Sequence, residues 1–80
     1  MAVGRMWKGG DIYLVGRVPP QVRRLVIRYA DGSTGTTRPV HGVVAYVVPA
    51  GHPRRGGEVI ALTAYDAGGR VVGRQGMRIR

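Results

Sequence analysis

Eighty residues with 44% hydrophobic content leave room for one small domain, which excludes a multi-domain enzyme. With no cysteine, disulfide staples and thiolate metal sites are excluded too, so the core must hold the fold unaided. Thirteen basic against four acidic side chains give a formal charge of +9, which predicts attraction to phosphate, anionic lipid or acidic protein; with one lysine, Lys8, beside twelve arginines, part of that charge is also what a GC-rich coding sequence produces.

The opening residues 1–10 carry charge and glycine but no apolar run of the ~7–15 residues a secretory signal needs, so the chain as written is expected in the cytosol. They read as a poorly defined segment, with Met6 and Trp7 apolar enough to dock on a sheet. The remainder, residues 11–80, reads as the domain. Turn chemistry recurs there every ~8–12 residues between β-branched runs, the spacing of an all-β sandwich or barrel.

Six strands are expected, starting with residues 12–18, closed by Pro19 and Pro20, which cannot donate to a ladder. The second covers residues 22–30 and ends at the Asp31-Gly32 turn pair. In this segment Val22, Leu25, Val26 and Tyr29 also match helical spacing, but the alternation of Leu25, Ile27 and Tyr29 and the β-branched Val26-Ile27 pair favour a strand. A short third strand, residues 36–40, meets a turn at His41-Gly42. Residues 43–48 are dense in β-branched and aromatic side chains and read as a central strand, stopped by Pro49 and followed by a loop over residues 50–57. The fifth strand is expected over residues 58–66. Ala67-Gly68-Gly69 then turns the chain into the sixth, residues 70–75, and residues 76–80 read as a fraying tail. The longest apolar run, residues 43–50, is far short of the ~18–20 a membrane helix needs, and no membrane span is expected.

The succession Gly16-Arg17-Val18, Leu25 to Gly32, Pro39-Val40, Gly42 to Pro49 and Ile60 to Val72 resembles bacterial immunoglobulin-like and fibronectin type III-like β-sandwich modules of secreted and cell-envelope proteins, most closely those of actinobacteria. The resemblance spans residues 15–74, and its most specific part is the hairpin over residues 64–71. It implies a small antiparallel Ig-like sandwich, incomplete where the first strand is poor, as a fragment of a larger envelope protein or a module used alone. It also implies an extracytoplasmic setting, a scaffold for contact with a protein partner or with other domains of a parent chain, and no catalytic residues. Function inferred from a fold is associational, so the side chains carry the rest.

Catalysis by a carboxylate pair needs two acids converging on a cleft, and the whole supply is Asp11, Asp31, Glu58 and Asp66. Asp31 and Asp66 are expected to shape turns, and Glu58 to start a strand. Ser33 is the only serine and lacks a nucleophile-elbow setting; His41 and His52 lack a metal-ligand spacing. No enzyme, cofactor or metal site is expected. Tyr13, Tyr29, Tyr46 and Trp7 must supply large core volume, since the chain has no Phe.

If the second, fifth and sixth expected strands share a sheet, alternation turns Leu25, Ile27, Ile60, Leu62, Ala64 and Val71 inward. The outer face then carries Arg24, Val26, Arg28, Thr63, Tyr65, Arg70, Val72 and Arg74. Arg24, Arg28, Tyr65, Arg70 and Arg74 form the candidate anion- or nucleic-acid-binding set, joined electrostatically by Arg54, Arg55, Arg78 and Arg80. Two other uses fit the same residues: a solvated face whose arginines keep the sheet soluble, and a basic barrel of OB or SH3 size binding nucleic acid. A subunit that assembles through its edge strands is a third.

Overall fold

The computed structural model describes residues 1–9, 11–48 and 59–77, and these form seven strands and no helix. The strands are β1 (Ala2–Lys8), β2 (Asp11–Arg17), β3 (Arg24–Tyr29), β4 (Thr34–Thr37), β5 (Val43–Val47), β6 (Val59–Tyr65) and β7 (Val71–Gly76). They divide into a three-stranded sheet, β1-β2-β5, and a four-stranded sheet, β4-β3-β6-β7, with every pairing antiparallel. The expected all-β sandwich is the architecture observed. The expectations at His52, Arg54, Arg55, Glu58, Arg78, Arg80 and the loop over residues 50–57 lie outside the described residues, as does the Trp7 side chain.

The segment expected to be a poor strand, residues 1–10, contributes β1, which pairs with β2 along its length from Ala2 opposite Arg17 to Lys8 opposite Asp11. Its alternation is reversed after buried Val3, with half-buried Arg5 on the inward side and exposed Met6 on the outward side, so hydrophobic periodicity gives little sign of it. Gly16 makes the pairing possible. A Cβ there would run into the Ala2 carbonyl and lie 2.5 Å from Val3 Cα, both backbone atoms that cannot swing aside.

Val3, Ile12, Leu14, Val44 and Val48 from the three-stranded layer meet Leu25, Ile27, Tyr29, Val59, Leu62, Ala64 and Met77 from the four-stranded one. Removing these side chains from water is the main driving force for holding the layers together. The helix alternative for residues 20–30 is not realised: β3 buries Leu25, Ile27 and Tyr29 at period two.

The inward set differs from simple alternation at Ile60 and Val71. Arg28 pairs with Ala61 and Tyr29 with Val59, so Ile60 is an extra residue in a bulge. Parity flips there: Val59 is 3% exposed and Ile60 41%. A second shift places Ala64 opposite Gly73 and Tyr65 opposite Val71, which turns Val71 outward and packs Val72 partly against the core, the reverse of the expected assignment.

Two polar contacts tie the layers together at their sides. At the β1 and β7 edges, the Gln75 amide mimics a neighbouring strand: its Nε2 donates to the Val3 carbonyl at 2.6 Å, and the Val3 N–H donates to its Oε1 at 3.1 Å. On the opposite side the Tyr29 and Tyr46 hydroxyls share a hydrogen bond of 3.1 Å, with the Tyr46 hydroxyl close over Gly35 of β4. Burial, and then the bond to Tyr46, push the Tyr29 phenol well above its ordinary value.

Candidate functional site

The outer face of the four-stranded sheet is ordered by register. One row runs Arg24 to Tyr65 to Val71, the next Thr36 to Val26 to Thr63 to Arg74, and the third Thr34 to Arg28 to Ala61 to Gly76. Of the five expected site residues, Arg24, Tyr65, Arg28 and Arg74 therefore share this face, with Arg24 and Arg28 about 13 Å apart along β3. Arg70 does not belong to it. It sits in the turn before β7, where its N–H donates to Asp66 Oδ1 at 2.9 Å and its carbonyl accepts from the Asp66 N–H at 2.9 Å.

The Arg24 guanidinium stands 4.5 Å from the Tyr65 ring centroid. This cation–π contact holds the arginine in place while leaving its charge unneutralised. It also covers one face of the only aromatic on this surface, so Tyr65 is a poorer stacking platform for a nucleobase than the sequence suggests. Among the described residues neither Arg28 nor Arg74 has an ion-pair partner.

Two of the acids, Asp31 and Asp66, are spent on turns. Asp31 Oδ1 accepts from the Ser33 N–H at 2.9 Å and the Ser33 hydroxyl at 2.6 Å; Asp66 Oδ1 accepts from Gly68 and Arg70 N–H groups. These are the Asx turns expected at both positions. Among the described residues no group of three or more His, Cys, Asp or Glu could hold a metal ion, and no helix is long and apolar enough to cross a membrane.

Sequence reasoning misses the second face. On the outside of the three-stranded sheet, Met6, Tyr13 and Val47 form one row, Gly4, Val15 and Ala45 the next, and Val43 follows beside Arg17. Met6 is 50% exposed, Val15 39%, Val43 44% and Val47 51%, an apolar surface on the order of 300 Å² from strand spacing and rise. Tyr13, expected in the core or at its rim, lies half-buried within this outer face. The signal is visible in Val43 to Val47, apolar at every position, but that pattern alone reads as a central strand. Among the described residues β5 instead pairs with β2 alone, apart from a bridge between Val43 and Val40, so it is an edge strand with one apolar side facing out.

No protein-family model, curated protein or solved structure matches this chain.

Proposed function

We propose that the chain is a non-catalytic protein-interaction module built on an Ig-like, fibronectin type III-like sandwich of the kind carried by bacterial envelope and secreted proteins. Strand order supports the module type. Lettered A to G in chain order, the sheets run A-B-E and D-C-F-G, which is the constant-type immunoglobulin arrangement of A-B-E-D and C-F-G with the fourth strand moved to the third. The observation that carries the interaction reading is the outer face of the three-stranded sheet, where Met6, Val15, Val43 and Val47 stand together in solvent. An exposed apolar patch of this size matches the largest patch of a typical small monomer, about 300–600 Å², which is often functional. With a formal charge of +9, the fitting partner is a protein surface that is apolar at its centre and acidic around it.

A second reading, nucleic-acid binding, rests on the unpaired arginines of the opposite face and the Arg24–Tyr65 stack. In this reading the surface belongs to a two-layer sandwich, not to a barrel of OB or SH3 size.

One experiment separates them: a photo-reactive residue replaces Val47 in one variant and Thr63 in another, and both are irradiated in cells. A protein adduct of defined mass at position 47, competed by excess wild-type chain but not by Val15→Lys, supports the interaction module. Nuclease-sensitive adducts at position 63 alone replace it with the nucleic-acid reading, which also requires affinity for a generic oligonucleotide to fall steeply above about 50 mM salt.

A further inference from the structure

At the end of the sandwich where β3 begins and β6 ends, an open cleft of about 760 Å³ is walled by Arg23, Arg24 and Arg38, by Pro39 and Val40, and by the turn from Asp66 to Gly69. Three segments fix its walls. The Arg23 N–H donates to the Tyr65 carbonyl at 2.8 Å, Val40 and Val43 exchange both backbone hydrogen bonds at 3.0 and 2.9 Å, and the Gly69 N–H closes on the Asp66 carbonyl at 3.1 Å.

Two of the three guanidinium groups are held in place before any ligand arrives. Arg23 donates through Nη1 to the Pro20 carbonyl at 2.9 Å, and Arg24 is stacked on Tyr65. Among the described residues none of the three has an ion-pair partner. The one carboxylate at the cleft, Asp66, has its Oδ1 committed to the Gly68 and Arg70 N–H groups. Three guanidinium charges thus converge on one concavity against a single carboxylate that is engaged with its own turn, and side chains already fixed lose less freedom on binding.

We propose that this cleft binds an acidic peptide segment, with paired Asp or Glu carboxylates on Arg23, Arg24 and Arg38 and an aliphatic side chain against Val40. Guanidinium forks match carboxylates bidentately. The aliphatic wall distinguishes a peptide from a nucleic acid: Val40 is 64% exposed beside Pro39, no Phe, Tyr or Trp is among the described lining residues, and one face of the Tyr65 ring is covered by Arg24. Val40 is bonded to Val43, so the cleft adjoins the apolar outer face of the three-stranded sheet, and one acidic, partly apolar partner can span both. This deepens the interaction-module reading by naming the chemistry of the partner.

The test is an NMR titration of the ¹⁵N-labelled chain with an acetylated and amidated Glu-Glu-Leu-Glu-Glu peptide, with its Gln counterpart, and with a short oligothymidylate. The expected result is saturable shifts at the side-chain Nε–H signals of Arg23, Arg24 and Arg38 and the amides of Gly68 and Gly69, for the Glu peptide only. Arg38→Gln should weaken binding about tenfold, whereas Lys8→Gln, the same charge loss at the far end of the sandwich, should change it less than about twofold. No shift at the cleft, equal response to the Gln peptide, or equal loss in both variants overturns the proposal. Tighter binding of oligothymidylate to the same residues overturns it in favour of nucleic acid. If the peptide fails to bind while adducts at position 47 persist, the cleft assignment alone falls; if it binds and those adducts are absent, the apolar docking face falls instead.

Discussion

Replacing Gln75 by methionine keeps the side-chain volume and removes both hydrogen bonds to Val3. Each such bond contributes about 0.5–1.5 kcal/mol, and the change leaves the N–H and C=O of a residue that is only 5% exposed without partners. The expected loss is about 2 kcal/mol, which for a domain of this size is roughly 8–16 °C in Tm by thermal circular dichroism. Amide hydrogen exchange locates the effect: the Val3 amide should lose its protection while Leu25 and Leu62 keep theirs. Gln75→Glu refines the argument. At neutral pH its carboxylate still accepts from the Val3 N–H but opposes the Val3 carbonyl, so the charged form is disfavoured and the folded-state pKa lies above the ordinary Glu value of about 4.3. The stabilising protonated form, which can donate to that carbonyl, is present at low pH and lost as pH rises through the folded value. Gln75→Glu should therefore recover stability relative to wild type between about pH 7 and pH 4. A Tm shift below about 2 °C for Gln75→Met, or an unchanged Gln75→Glu deficit at both pH values, would refute the edge-to-edge tie.

Gly16→Ala should cost about 1–3 kcal/mol and expose the β1 amides to exchange, whereas Gly4→Ala, whose Cβ would meet nothing within 4 Å, should be neutral; equal effects would place β1 elsewhere. Val59→Thr should destabilise by about 1–3 kcal/mol and Ile60→Thr by less than about 0.5 in urea unfolding, and the opposite order would remove the bulge. Tyr29→Phe forfeits the bond to the Tyr46 hydroxyl, a loss of about 1 kcal/mol near neutrality. Because the Tyr29 phenol is raised in the folded state, its contribution is complete below the ordinary value of about 10 and declines as pH climbs beyond it. The wild-type chain should thus show an alkaline loss of stability that Tyr29→Phe reduces, and parallel declines in the two proteins would contradict the assignment.

The fold is legible wherever one side of a strand meets water. β3 and β6 alternate cleanly at Leu25, Ile27, Leu62 and Ala64, and the Asp31 and Asp66 turns declare themselves through side-chain bonds to their own backbones. Legibility ends where period two is broken or reversed. The bulges at Ile60 and Val72 shift facing by one residue, something only pairing with a neighbouring strand reveals. β1 carries Arg5 inward and Met6 outward, so its place depends on Gly16 and Gln75 and not on its own pattern. The candidate site is partly legible for the same reason. Alternation puts Arg24, Arg28, Tyr65 and Arg74 on one face, while the cleft joins Arg23 and Arg38 through three separate connections that no linear spacing encodes.

The amide of Gln75 also sets how the molecule would respond to pulling. β1 and β7 lie in different sheets, and a side chain, not a backbone ladder, joins their edges through Val3. Tension applied to the two outermost strands would load that glutamine before the deeper layers, making it the mechanical fuse of the sandwich.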